Sequence, residues 1–132
     1  MAKTRIKPGK RVKLSNHYYR DEFACKDHCG FNTVDYNLVV ILEKMCNELG
    51  RKLVVVEGCM CSKRAKVVGG NGDNAHLLGK GAHVIAPIDV LKMQAEMTNT
   101  EICKAIDKVF GDVIYYYPID GGKAVHIDST TV

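Results

Sequence analysis

Five histidines punctuate the chain, at positions 17, 28, 76, 83 and 126, and three of them stand where chemistry is conceivable. His76 and His83 bracket the stretch "HLLGKGAH", and His126 lies in "VHID" near the end. A lone histidine is usually a satisfied core or surface residue, but a catalytic zinc wants three protein ligands and one open position, and three imidazoles satisfy that. The separation of seven residues between His76 and His83 is not the helical HExxH pattern, so the set has to be assembled by tertiary structure. Asp128 follows His126 by two residues and so shares its face of an extended chain.

Cysteine is the second metal-capable residue type. Six occur, at 25, 29, 46, 59, 61 and 103. Cys46 and Cys103 fall on apolar helix faces and read as core. Cys25 and Cys29 in "CKDHC", with Cys59 and Cys61 in "CMC", form two close pairs that offer four thiolates to a structural zinc, although each pair departs from the usual two-residue spacing. The opening "MAKTRIKPGKRVKLS" lacks the apolar segment of a secretory signal. The expectation is therefore synthesis in the cytosol, with reduced thiols rather than a disulfide framework.

These side chains need elements to hold them. In "TVDYNLVVILEKMCNELG", Val34, Leu38, Ile41, Leu42, Met45 and Leu49 recur at helical spacing, with Thr33 or Asp35 to cap the start and Gly50 to end it. "RKLVVVEG" reads as a short buried strand ending at Gly58. Thr98 and Glu101 make a capping-box pair that opens a second helix, continuing through Ile102, Ala105, Ile106, Val109 and Phe110 to Gly111. "DVIYYYP" and "KAVHID", separated by "IDGG", read as a hairpin. Between the first strand and the second helix, "VVGGNGDNAHLLGKG" is too rich in glycine for a regular element and reads as a loop carrying His76. "AHVIAPI" reads as a strand closed by Pro87, with His83 at its start. The pattern is a single α+β domain with an antiparallel sheet and flanking helices. A glycine-rich loop would swing one ligand over the sheet while two strands hold the other two.

Composition sets outer bounds. Apolar residues make up 46% and charged residues 26%, an ordinary globular balance, and no apolar run is long enough to span a bilayer. Of the 19 lysines and arginines, six lie in residues 1–13, leaving 13 against 15 acidic residues in the remainder. The chain thus divides into a basic N-terminal arm, 1–13, and a domain, 14–132. Such an arm suits a polyanion, either nucleic acid or a cell-wall polymer, when it is more than a solvated terminus.

The succession "LSNHY…EFAC…CGFNTVD", "VVVEGCMCSKRAKVVGGNGDNAHLLGKGAHV" and "VHID" resembles the D-alanyl-D-alanine carboxypeptidase family of zinc peptidases in its small phage and bacterial form, from about residue 14 to residue 128. The specific parts are "VVGG" at 67–70, His-x-x-Gly-x-x-Ala at His76, Gly79 and Ala82, and His-x-Asp at His126 and Asp128. The resemblance implies a Hedgehog/D-Ala-D-Ala peptidase-like fold, zinc held at positions 76, 83 and 126, and action on peptidoglycan stem peptides as an endolysin or carboxypeptidase. It also implies delivery to a virion or the cell wall after synthesis, with phage structural proteins as further partners.

Three positions depart from the family pattern. The family's second ligand is aspartate, where this chain has His83; an imidazole still binds zinc but supplies no negative charge. The family's Ser-Gly-Tyr-Arg or Ser-Gly-Cys-Arg is here Glu57-Gly58-Cys59-Met60, so the arginine that meets substrate or the developing oxyanion is missing. The carboxylate that several members carry three residues before the last histidine is replaced by Lys123, which is protonated at neutral pH unless strongly desolvated. Asp120 and Glu57 are the carboxylates left to act as general base. These departures also admit a second expectation, a catalytically degenerate member of the same fold that serves as a structural or binding component, for instance of a phage particle.

Overall fold

The computed structural model describes residues 11–67, 74–89, 94–95, 98–119 and 124–132. A 3-10 turn, Arg20–Phe23, leads into helix α1, Tyr36–Leu49, and strand β1, Val54–Glu57. Two short helices follow, α2 at Ser62–Val67 and α3 at Asn74–Leu77. Then come β2 (Gly81–Ile85), β3 (Pro87–Asp89), β4 (Gln94–Ala95), α4 (Asn99–Phe110), β5 (Tyr115–Pro118) and β6 (Val125–Asp128). The main sheet runs β1-β2-β6-β5 and is antiparallel throughout; β3 and β4 pair separately. This is an α+β domain, with one sheet backed by two long helices.

The long helices follow their local signals. Asp35 is the N-cap of α1, but its carboxylate accepts from Ser129 Oγ at 2.6 Å and makes no cap hydrogen bond. Gly50 closes the helix in the left-handed conformation that glycine adopts at no steric cost. In α4, Thr98 Oγ1 accepts from Glu101 N at 3.3 Å while Glu101 Oε1 accepts from Thr98 N at 2.9 Å, a closed capping box. The apolar faces of the two helices, including Leu38, Leu42, Met45, Ile102 and Ile106, pack into one cluster with Ala82, Val84, Val125 and Ile127 of the sheet. Each of the leucine, isoleucine, valine and methionine side chains, fully buried, contributes roughly 1.5–3 kcal/mol.

Two expectations are corrected here. The segment expected to be a loop, 67–81, begins at the last residue of α2 and contains α3, on which His76 sits; only residues 68–73 of it lie outside the described residues. The strand expected to close at Pro87 ends at Ile85, and Pro87 instead opens β3, the first position of a strand being one where its missing N–H is tolerated.

Alternation along the strands gives the sheet its second face. Ala82 and Val84 on β2, and Val125 and Ile127 on β6, point into the core. His83, His126 and Asp128 therefore point the other way. On β1, Val55 pairs with Val84 but Glu57 pairs with His83, so one extra residue, Val56, bulges out between them. Without that bulge Glu57 would share the core-facing side of Val55; with it, Glu57 joins the histidine face.

Candidate metal centre

One register row crosses all four strands of the sheet. Glu57 on β1 opposes His83 on β2, His83 opposes His126 on β6, and His126 opposes Tyr117 on β5. Opposed residues of antiparallel strands share a face, so these four side chains stand side by side. The Tyr117 ring stacks on His126 with centroids 4.4 Å apart and an angle of 14°.

The third histidine comes from above the sheet. Helix α3 lies so close over β2 that a Cβ on Gly81 would fall 2.8 Å from Ala75 Cβ and 3.1 Å from His126 Cε1. Gly79, at φ 71°, turns the chain from α3 into β2, and a Cβ there would lie 2.0 Å from Thr33 O. Asp35 N donates to Gly79 O, Lys80 N to Ala75 O and Met60 N to His76 O, at 2.8, 2.8 and 3.1 Å. So anchored, His76 meets His83 and His126 at centroid distances of 4.5 and 5.0 Å.

One ligand atom from each of His76, His83 and His126 lies within 4.8 Å of the others. His76 Nδ1 is 2.7 Å from Gly58 O, and a carbonyl only accepts, so Nδ1 carries the proton and Nε2 of the neutral ring presents its lone pair. His83 Nε2 stands 3.0 Å from that nitrogen. It must either donate a proton to it or share a cation with it. Two imidazoles 2.0–2.1 Å from one tetrahedral zinc sit about 3.3–3.4 Å apart, a small adjustment from this separation. His126 Nε2 is 2.8 Å from Asp128 Oδ2, and Asp128 Oδ1 in turn accepts from Thr130 N and Oγ1 at 3.2 and 2.7 Å. A carboxylate holding one ring nitrogen fixes the tautomer and leaves the other to a metal, which is how metal-binding histidines are oriented. His76, His126 and Asp128 are buried, while His83 is partly open. The residues fit a divalent cation bound by three imidazoles.

Of the two carboxylates singled out as general bases, Glu57 is on this face and Asp120 lies outside the described residues, as does Lys123. Glu57 is buried and paired with Arg64 on α2, whose Nη2 is 2.6 Å from Oε1 and whose Nε is 3.4 Å from Oε2. Arg64 also reaches Asp27 Oδ1 at 3.8 Å. Position 60 is a buried methionine, so its side chain offers no hydrogen-bond donor there. Neither Arg64 nor Tyr117 was marked by sequence reasoning. Tyr117 had a signal, since alternation along "YYYP" puts every second ring on the face of its hairpin partner His126; Arg64 had none. His17 is elsewhere, with Nδ1 2.6 Å from Glu43 Oε1.

The cysteines form a second group. Ligand atoms of Cys25, Cys29 and Cys61 lie within 4.8 Å of one another, and Cys25 Sγ is 3.8 Å from Cys61 Sγ. The four-thiolate expectation is corrected at Cys59, which is buried in the core with its thiol 3.7 Å from Thr33 O; burial pushes that thiol up to about 11. Backbone N–H groups of Arg64 and Lys63 hold the Cys61 thiol below its ordinary value. All six cysteines are free. As expected, Cys46 is buried in the core and Cys103 packs against it.

Comparison with protein-family models, with curated proteins and with solved structures finds no match to the chain. The likeness to zinc peptidases therefore stands on the sequence motifs. Among the described residues, no helix is long and apolar enough to cross a membrane.

Proposed function

We propose that the chain is a zinc-dependent peptidase of the D-alanyl-D-alanine carboxypeptidase type, acting on peptidoglycan stem peptides. The observation that carries this reading is the convergence of His76, His83 and His126 from a helix and two strands onto one point, with ring orientations set by Gly58 O and Asp128. Zinc bound there would keep an open position, polarise a carbonyl and lower the pKa of water to about 7.

The chain's own residues supply the rest. Asp128 keeps the His126 ring in a single tautomer. Glu57 stands next to His83 in the row, and Oε2, held by Arg64 only at 3.4 Å, is the oxygen with capacity left to accept a proton. Tyr117 walls the far side of His126 and limits solvent there. The basic residues of 1–13 suit a polyanionic wall polymer.

One observation favours a second reading, a catalytically silent metal-binding member of the same fold acting as a structural or binding component. Met60 offers no donor where the family carries arginine, and Arg64 is committed to Glu57. Hydrolysis of peptidoglycan stem peptides by the zinc-loaded protein, set beside His126→Ala, separates the two. The peptidase reading expects cleavage by the parent and its loss, by at least about 100-fold, in the variant. Zinc binding without cleavage by either protein would leave the silent member standing.

A further inference from the structure

We propose that Cys25, Cys29 and Cys61 form a second metal site, taking a thiophilic divalent cation of the zinc type, which clamps the turn at residues 25–31 onto the Gly58–Cys61 segment. The distances carry the geometry. Two thiolates bound 2.3 Å from one tetrahedral zinc lie about 3.8 Å apart, and Cys25 Sγ and Cys61 Sγ are 3.8 Å apart. A disulfide would need about 2.05 Å, and a packing contact has no reason to gather a third thiol within 4.8 Å of both.

Backbone structure on both sides presents the sulfurs. In the 25–31 turn, Cys25 N donates to Phe31 O at 2.9 Å and His28 N to Cys25 O at 3.1 Å. His28 adopts φ 58° and Gly30 φ 92°, folding Cys29 back towards Cys25. Positive φ is uncommon outside glycine, though histidine is among the residues that adopt it more readily, and it persists where the surroundings hold it. The Gly58–Cys61 segment is tied to the chain just ahead of that turn by Cys59 N, which donates to Phe23 O at 2.8 Å.

Charge and position complete the picture. Three thiolates and a divalent cation leave one net negative charge, and Arg64 of α2, which reaches Asp27 Oδ1 of the same turn at 3.8 Å, brings a positive charge to it. Cys29 is the exposed member, so the fourth position opens to water. The site has a structural consequence for its neighbour. The segment it clamps carries Gly58 O, which orients His76, and Met60 N, which holds His76 O.

Cobalt(II) tests this on the reduced full-length chain, because sulfur-to-cobalt charge transfer absorbs in the near ultraviolet and imidazole ligation does not. The expected result is a charge-transfer band that falls by about a third in Cys29→Ser, in proportion to the thiolates lost, and is unchanged in Cys59→Ser. It should persist in His76→Ala and His126→Ala, so failure of the histidine site leaves this site standing. In the folded, reduced protein a thiol-reactive dye should modify Cys29, the exposed member, readily in chelator and be excluded from it when metal is bound. Cys29 is exposed, so its serine variant folds irrespective of any loss at the buried Cys25. Absence of the band in folded, reduced protein would overturn the proposal. So would a band that Cys29→Ser leaves intact or that Cys59→Ser removes.

Discussion

Replacing Gly79 with alanine tests how His76 is held, and Gly50→Ala provides the control. Both glycines are left-handed, with φ 71° and 68°. Both substitutions therefore incur the cost of an L-residue in that region, about 1–2 kcal/mol, and both remove similar freedom from the unfolded chain. They differ in what the new methyl meets. At Gly50 nothing lies within 4 Å, whereas at Gly79 it would fall 2.0 Å from Thr33 O and 3.1 Å from Thr33 C. These are backbone atoms with no rotamer to change, so the chain has to move by more than 1 Å or so, at an overpacking cost of about 1–3 kcal/mol. Urea unfolding should then show Gly79→Ala destabilised by about 2–5 kcal/mol and Gly50→Ala by only about 1–2. Since a domain of this size has about 5–15 kcal/mol to lose, most of the Gly79→Ala protein remains folded and its zinc affinity is measurable. That affinity should fall about 10–100-fold, as when a ligand loses its orienting partner; Gly50→Ala should leave it unchanged. Equal destabilisation of the two variants, or unchanged zinc affinity in Gly79→Ala, would refute the idea that the Thr33–Gly79 contact seats α3.

Three further outcomes follow from the same structure. Asp128→Asn replaces the carboxylate that accepts from His126 Nε2, and zinc titration should show affinity reduced about 10–100-fold while the fold is retained by circular dichroism. Burial alone would raise the pKa of Glu43, but hydrogen bonds from Ser15 and His17 hold it below the ordinary range. A depressed folded-state pKa contributes stability that is complete above the unfolded-state value, about 4.3, and is lost as pH falls through the folded value. The melting temperature of the parent should therefore drop more steeply on acidification below about pH 4.3 than that of Glu43→Gln, and parallel curves would contradict the assignment. Thr98→Ala opens the capping box of α4 and should cost about 1 kcal/mol in urea unfolding, against no change for a substitution at exposed Thr100.

The long elements were legible because their signals are local. The stripe from Leu38 to Leu49 and the Thr98–Glu101 pair state a helix and its start without reference to the rest of the chain, and "YYYP" and "VHID" do pair as neighbouring strands. Helices α2 and α3 were not legible. At six and four residues they are too short to form on propensity, and only packing of α3 over Gly81 and Gly79 makes that turn worthwhile. The bulge at Val56 is equally silent, since "LVVVEG" reads as an unbroken apolar run whichever way Glu57 points. The three histidines could be singled out by type, and Asp128 by its two-residue offset. Their convergence depends on the β2–β6 register and on the packing of α3 over β2, which no local spacing encodes. Cysteine spacing misled for the same reason: Cys59 and Cys61 are two residues apart, yet the chain between them sends one thiol into the core and the other to Cys25.

The most direct test of the histidine centre is a crystal of the zinc-loaded protein measured on both sides of the zinc absorption edge. The expected result is an anomalous peak about 2.0–2.1 Å from His76 Nε2, from His83 Nε2 and from one nitrogen of His126. A map with no peak among those three rings, or with His83 turned away from a zinc held by other residues, would contradict it.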